Sequence, residues 1–594
     1  MGIKRKLSAS LLALCSICGF AATDRTQISE LTTEYMWQPI GIDVAQPQFA
    51  WKMTSDRYGA EQKTYRVVVA DSRDNMTLGK YVYDSGVVNS GISVGVKYAG
   101  EALKPATRYY WRVIVTDEKK NELNSSIAEF ETGLLGSKWD NAQWISSPRT
   151  QVSPYRSDFV LEYDVKNVGK PGPSTFIYGA KGTDSYCYIT IDTRKPAKLI
   201  AGAVLYKKNV EYQNIDISDI ITSQALTSHH VKMTVHGGGD YNLSLQIDGK
   251  PVKTKDGKAN FGVNCMRDTV GRSDSHLYDI GYVQQQGFDA QFSGISVSDT
   301  KWNVLLASDP KTYNAKGDGK ASVWTFNSEI NAPMMRNVVN ISKKVKEARL
   351  YATARGFYNF YINGKKAGDA YMAPGWTDFR HRIMYDTYDV GYLLQQGKNA
   401  LAIELGNGWF CGNWGWTGSG WSDQYGYKPS AMAMLKVTYD DGTTESFVTN
   451  RDWKVSDNGP LFVDNLYHGV IYDARREIDD WKDENFDDSK WQHADMMAAP
   501  DKNVEIQGYV GMKIQNNITL KAVAMKKIGG RYIYDMGQNF AGVPRFKNLR
   551  GKKGQQIVIR FAEMLFPDQA PENPRPPLTK ADYEHNRGNM YMDN

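Results

Sequence analysis

Apolar and polar residues alternate through most of this chain, and the alternation predicts strands almost throughout. In YRVVVADS, Tyr65, Val67 and Val69 fall on one face, as the two-residue period of a strand requires. In TRYYWRVIV, Tyr109, Trp111, Val113 and Val115 share one face and Arg108, Tyr110, Arg112 and Ile114 the other. The approach to that strand, from Leu103 through Pro105 and Thr107 to Tyr109 and Trp111, has the spacing of the corner that leads into a core strand of fibronectin type III-like sandwiches. Residues 27–135 therefore read as one immunoglobulin-like sandwich.

A second block, 140–325, holds the alternating runs FVLEYDV (159–165), YCYITID (186–192), HVKMTVHG (230–237) and YNLSLQIDGKPV (241–252). Its Asp248-Gly249 pair is a hairpin turn signal. Gly- and Pro-rich connections suit a larger sandwich of the concanavalin or laminin-G shape. The third block, 331–500, alternates again and carries Asn363-Gly364, whose two residues suit the positive φ angles of a tight hairpin. A jelly roll is expected there. A fourth block, 505–594, opens with the strand-like GGRYIYDMG and QQIVIRFAEML, then turns Pro-rich, and reads as the truncated start of another sandwich. An unfinished sandwich leaves an open edge and an exposed apolar face, which predicts poor solubility or a disordered tail from about Phe566. No long stretch has a 3.6-residue period, so helices are expected to be short and few. The fold class is all-β, with tandem sandwich domains.

Composition adds a location and removes some functions. Lys4, Arg5 and Lys6 precede an apolar run from Leu11 to Phe20 that ends in small residues. That layout predicts a secretory signal peptide over residues 1–22, too short to span a bilayer, and hence a periplasmic or secreted protein without a membrane span. The formal charge of +6 falls by three when those cations are removed, so the charge makes no case for nucleic acid. Two of the five cysteines lie in the leader; Cys187, Cys265 and Cys411 remain, which allows one disulfide or three buried thiols. The chain is rich in aromatic residues, with 15 Trp and 36 Tyr, which suits proteins that stack rings on sugars.

Several strings in order resemble the bacterial α-L-rhamnosidases, a family of inverting glycoside hydrolases. In the first block they are PIGID (39–43), QFAW (48–51), YDSG (83–86), TRYYWRV (107–113) and FETG (130–133). In the third they are NGKKAGD (363–369), APGWTD (373–378), YDTYDV (385–390), GWFCG (408–412) and YDAR (472–475), and in the fourth YDMGQN (534–539). The second block looks like an insertion. The resemblance implies that these domains precede an (α/α)6 barrel bearing the catalytic carboxylates, a stretch without a match here. No catalytic residue is therefore nominated, and the chain alone is expected to be inactive. Where the family usually has a Glu before YDAR, this chain has Val470.

The densest candidate for chemistry is GNGWFCGNWGWTGSGWSDQYGY, residues 406–427. Indole faces stack on the C–H faces of sugars, and glycines let such rings project. Trp409, Trp414, Trp416, Trp421 and Asp423, with Trp376 of the APGWTD string, are the expected carbohydrate-binding residues. Trp409 and Trp416 equally suit packing. The resemblance also implies a calcium ion that in some members grips L-rhamnose at the jelly roll. Asp369 and Asp378 are the candidate ligands, although no compact calcium loop is present. The expected partner is a rhamnose-containing oligo- or polysaccharide. The alternatives are a stand-alone carbohydrate-binding protein and a structural remnant without a ligand.

Overall fold

The computed structural model describes residues 25–150, 152, 158–205, 207–236, 242–263, 279–326, 331–412, 423–467, 469–528, 530–567, 569–570, 572–573, 579–586 and 590–591. The predicted leader lies outside them. The protein is nearly all β. The α-helices among the described residues are the short Arg73–Thr77, Gly408–Cys411 and Lys580–Asn586, and none is long and apolar enough to cross a membrane. The chain forms two compact units. One holds residues up to Ser137 with Val510–Met512; the other holds Lys138–Tyr509 and the chain from Lys513 onward.

In the first unit, strand Arg108–Asp117 alternates half-buried and buried along its whole length, and Tyr109, Trp111, Val113 and Val115 enter the core. Trp111 packs on Phe49 with ring centroids 4.5 Å apart. The Tyr109 hydroxyl accepts a 2.8 Å hydrogen bond from the Lys104 backbone N–H, so the tyrosine fixes the corner before its own strand. On the opposite face, Tyr110 packs with Val68, Ala70 and Met76.

The second unit contains two sandwiches. In the first, Phe159–Val168 lies between His229–His236 and Asp289–Ser298 in an eight-stranded sheet. It faces a six-stranded sheet centred on Tyr186–Asp192 and Pro173–Ala180. Tyr163 and Phe176 stack across the two layers at 4.1 Å. His229 and His230 begin an interior strand, and their rings meet Asp248 and Asp164. Cys187 is disulfide-bonded, whereas Cys411 is buried as a thiol outside any disulfide. The turn at Asp248-Gly249 has positive φ at both residues, as does that at Asn363-Gly364.

The jelly roll pairs a seven-stranded with a six-stranded sheet around Leu350, Ile362, Leu401, Val437 and Trp453. Its first strand, Ile145–Ser146, precedes the inserted sandwich in the chain and pairs with Ala431 and Met496. The jelly roll is thus assembled from segments on both sides of the insertion. One loop grips both crossings. Asp457 accepts hydrogen bonds from the Arg149 guanidinium and the Ser147 hydroxyl on the way in. On the way out, the Asp457 and Leu461 carbonyls accept from the Asn331 and Ala332 N–H groups.

At the edge of the seven-stranded sheet, Glu505–Gly508 runs parallel to Arg382–Asp389. Lys513 then reaches back 2.8 Å to the buried Asp386, whose other oxygen accepts from the Tyr358 hydroxyl at 3.0 Å. From there to Met564 the chain keeps large apolar side chains in the open, among them Val523, Val543, Leu549, Val558 and Phe561. Among the described residues of that stretch before Met564, the regular structure is the hairpin Ala524–Ile528 with Arg531–Asp535. After Phe566 the chain is not featureless: helix Lys580–Asn586 sets Tyr583 against Phe566 at 5.4 Å.

Two outcomes follow from these contacts. Asp386→Ala removes the carboxylate that pairs with the Lys513 ammonium and one of the three partners of the Tyr358 hydroxyl, and is expected to cost about 3 kcal/mol, read as a lower midpoint in chemical unfolding. Limited proteolysis should cut first within residues 516–565 and leave the sandwiches whole, because that stretch has few buried contacts.

Candidate functional site

Strand Gly397–Gly406 passes into the one-turn helix Gly408–Cys411 on the jelly roll. The junction is crowded. A Cβ at Gly408, which has φ +52°, would lie 2.8 Å from the Gly356 carbonyl carbon and from the Phe357 ring. A Cβ at Gly356 would strike the Gly406 carbonyl oxygen. Only glycine permits this approach, and it fixes which way the helix presents its side chains. Phe410 and Cys411 turn into an apolar cluster with Trp144, Phe379 and Ile383. Trp409 is part-buried beside that cluster and carries its own aromatic contacts.

The Trp409 ring meets Phe357 and Tyr467 edge-on at 6.5 and 6.4 Å. It stacks on Trp376 at 4.7 Å with an interplanar angle of 15°. Trp376 itself is 50% exposed. One face of its ring is thus backed by a second indole while much of the residue meets solvent. The backing fixes the ring, so a planar apolar partner can stack without ordering it first.

Polar groups border this ridge. The Asp464 carboxylate lies over Gly406, where a Cβ would clash with it, and accepts the Asn407 N–H at 2.8 Å. Burial pushes the Asp464 carboxyl above the usual range, against the pull of that N–H. On the outer face of the neighbouring strands, Glu404 accepts from the Tyr361 hydroxyl at 2.7 Å and pairs with Lys482 at 2.8 Å. Burial, then the Glu404 charge, pushes the Tyr361 phenol up.

The structure brings together two of the predicted residues, Trp376 and Trp409. Trp414, Trp416 and Trp421 lie outside the described residues. Asp423 is 3% exposed, and its carbonyl accepts the Trp302 indole N–H of the inserted sandwich at 3.1 Å. The segment just after it therefore packs between sandwiches, with Tyr427 set against the insertion's core and Tyr425 against Phe379 and Phe410. Asp369 accepts from the Gln515 amide at 2.8 Å, and Asp378 takes the Arg380 guanidinium on both oxygens. Among the described residues no group of three or more His, Cys, Asp or Glu is placed to hold a metal ion. Calcium needs six to eight oxygens, and these two carboxylates, each turned to its own partner, do not fit that set.

Asp464, Tyr467, Glu404 and Asn359 were missed by sequence reasoning. The string FYNFYI (357–362) did carry a signal, since its alternation puts Phe357, Asn359 and Tyr361 on one face. Asp464 and Tyr467 reach the site only through tertiary packing. Val470, at the position of the family's usual Glu, is exposed and pairs across a hairpin with Asp464.

Comparisons with known proteins agree along the chain. The description "Rha78A-like, N-terminal immunoglobulin domain" matches residues 28–136. "Alpha-L-rhamnosidase N-terminal domain" matches 343–516, and "Bacterial alpha-L-rhamnosidase concanavalin-like domain" matches 525–586. An α-L-rhamnosidase of Streptomyces avermitilis is 30% identical over 91% of this chain and 52% of its own length. One of Formosa agariphila is 26% identical over 94% of this chain and 43% of its own length. The chain thus spans about half the length of the curated relatives it matches. Among solved structures, the Streptomyces avermitilis enzyme complexed with L-rhamnose superposes with a TM-score of 0.57 at 27% identity, covering 86% of this chain and 49% of that one. The α-L-rhamnosidase from Dictyoglumus thermophilum shares the fold, with a TM-score of 0.52 at 24% identity over 86% and 39% of the two chains. With the immunoglobulin-like, jelly-roll and concanavalin-like segments in that order, the chain belongs to the α-L-rhamnosidase family and carries its N-terminal domains.

Proposed function

We propose that this chain is the glycan-recognising N-terminal region of an α-L-rhamnosidase that removes terminal α-L-rhamnose from plant glycans or glycosides with inversion. The observation that carries the recognition role is Trp376, half exposed and stacked on Trp409. L-Rhamnose is a 6-deoxy sugar whose methyl group and ring C–H bonds give it an apolar side suited to an indole face. The bordering Asn407 and Asp464 offer hydrogen-bonding groups at the edge of that platform. Recognition and hydrolysis are separate on this reading. The described residues are sandwich domains whose carboxylates serve turns and ion pairs, so this chain alone binds rhamnosides without cleaving them. A leader at residues 1–22 fits export to where plant glycans are met.

Calorimetric titration of the full chain with methyl α-L-rhamnoside tests this reading. Saturable binding is expected, with Trp376→Ala weakening it at least about tenfold and no nitrophenol released from p-nitrophenyl α-L-rhamnoside. Equal binding by the wild type and Trp376→Ala would contradict the role given to Trp376.

A further inference from the structure

The aromatic ridge does not end at Trp409. Phe357, whose ring meets Trp409 edge-on, begins strand Phe357–Ile362. Alternate residues of that strand enter the core, with Tyr358, Phe360 and Ile362 buried. The others, Phe357, Asn359 and Tyr361, stay half-buried on the outer face. The register sets Phe357 opposite Gly406 and Asn359 opposite Glu404. Asn359 therefore stands about 7 Å further along the same face than the residue touching the platform. The next sugar of a bound oligosaccharide would meet the sheet there.

The groups at that place are oriented before any ligand arrives. Glu404 Oε2 accepts from the Tyr361 hydroxyl at 2.7 Å and from the Asn359 amide at 3.4 Å. Glu404 Oε1 is 2.8 Å from the Lys482 ammonium, which lies 3.8 Å over the Tyr361 ring. The Glu404 side chain is 35% exposed. A carboxylate has room for about four donors, so a hydroxyl arriving from solvent finds a rigid acceptor with capacity left. Holding Trp481 and Lys482 against the sheet accounts for Tyr361 and Lys482. It leaves unexplained why Asn359, at the edge of hydrogen-bonding range, faces outward between the ridge and Glu404.

Charge narrows the occupant. Lys482 offsets Glu404, while the side-chain oxygen of Asp464 on this side of the ridge accepts from a backbone N–H. A ligand carboxylate would meet the Glu404 and Asp464 carboxylates, and the two ammoniums near Glu404 are already engaged, Lys482 by Glu404 itself and Lys366 by the Ala370 carbonyl, so a uronate is disfavoured there.

We propose that Asn359 and Glu404 form a second subsite beside the Trp376 platform, and that it takes the neutral sugar next to a terminal rhamnose and rejects a uronate there. This rests on the platform reading. The full chain is titrated with methyl α-L-rhamnoside, a rhamnosyl-glucose disaccharide and a rhamnosyl-galacturonate disaccharide. The neutral disaccharide is expected to bind about tenfold more tightly than the monosaccharide, and the acidic one no more tightly than the monosaccharide. The ratio of disaccharide to monosaccharide affinity should fall to about one in Asn359→Ala and in Glu404→Gln. The first variant guards against loosening of the Lys482 segment in the second, and thermal melting confirms that both are folded. Equal wild-type affinities for monosaccharide and neutral disaccharide, or tighter binding of the uronate, would overturn the subsite and leave the platform standing. No binding of methyl rhamnoside at all would overturn both.

Discussion

Asp457 carries a constraint on which the rest of the second unit depends. The jelly roll needs strand Ile145–Ser146 between two other strands of its larger sheet. Yet the chain leaves that strand for the inserted sandwich and returns only at Asn331. A fold divided in this way must bring two distant crossings to one place, and the entropy of closing so long a loop opposes it. The Arg149 guanidinium and Ser147 hydroxyl bind the Asp457 side chain, while Asn331 binds its backbone. Departure and return are thus pinned at one loop. With that loop made, the insertion becomes an appendage of a closed jelly roll and not a gap in it.

The aromatic surface inherits this order. Close approach at Gly356, Gly406 and Gly408 fixes the strand-to-helix junction that carries Trp409, while Phe410, anchored by Phe379 and Tyr425, holds the same helical turn from inside. The segment from Asp423 to Tyr427 continues from there to the insertion, where Trp302 and Lys301 bind its carbonyl groups. Packing therefore runs from the inserted sandwich to the platform through aromatic contacts, and the two sandwiches and the ridge form one continuous structure.

Much of the fold was legible because sandwich strands obey a local rule. Arg108–Asp117 alternates on the page as it does in the core, and both Asx-Gly pairs make the turns their residue types demand. Alternation fails where a strand is covered on both sides, as in Tyr186–Asp192, whose residues are all buried. The site was legible in part. Trp376 and Trp409 stood out as tryptophans among glycines, and they meet. Their partners Tyr467 and Asp464 come from a hairpin more than fifty residues later than Trp409, which no local pattern announces. Asp423 marks the opposite case: it sat in the richest string but lies buried against Trp302, because a Gly- and Trp-rich loop serves a domain junction as readily as a ligand. The carboxylates read as metal ligands, Asp369 and Asp378, are engaged by Gln515 and Arg380, partners that composition could not assign.

Hydroxyl-radical footprinting of the full chain, read by mass spectrometry at single residues, tests the platform most directly. Trp37, 74% exposed in the first unit, serves as the internal reference. With a saturating rhamnosyl disaccharide, oxidation of Trp376 and Tyr467 is expected to fall while that of Trp37 stays constant. Unchanged oxidation of Trp376 in the presence of bound sugar would contradict the account.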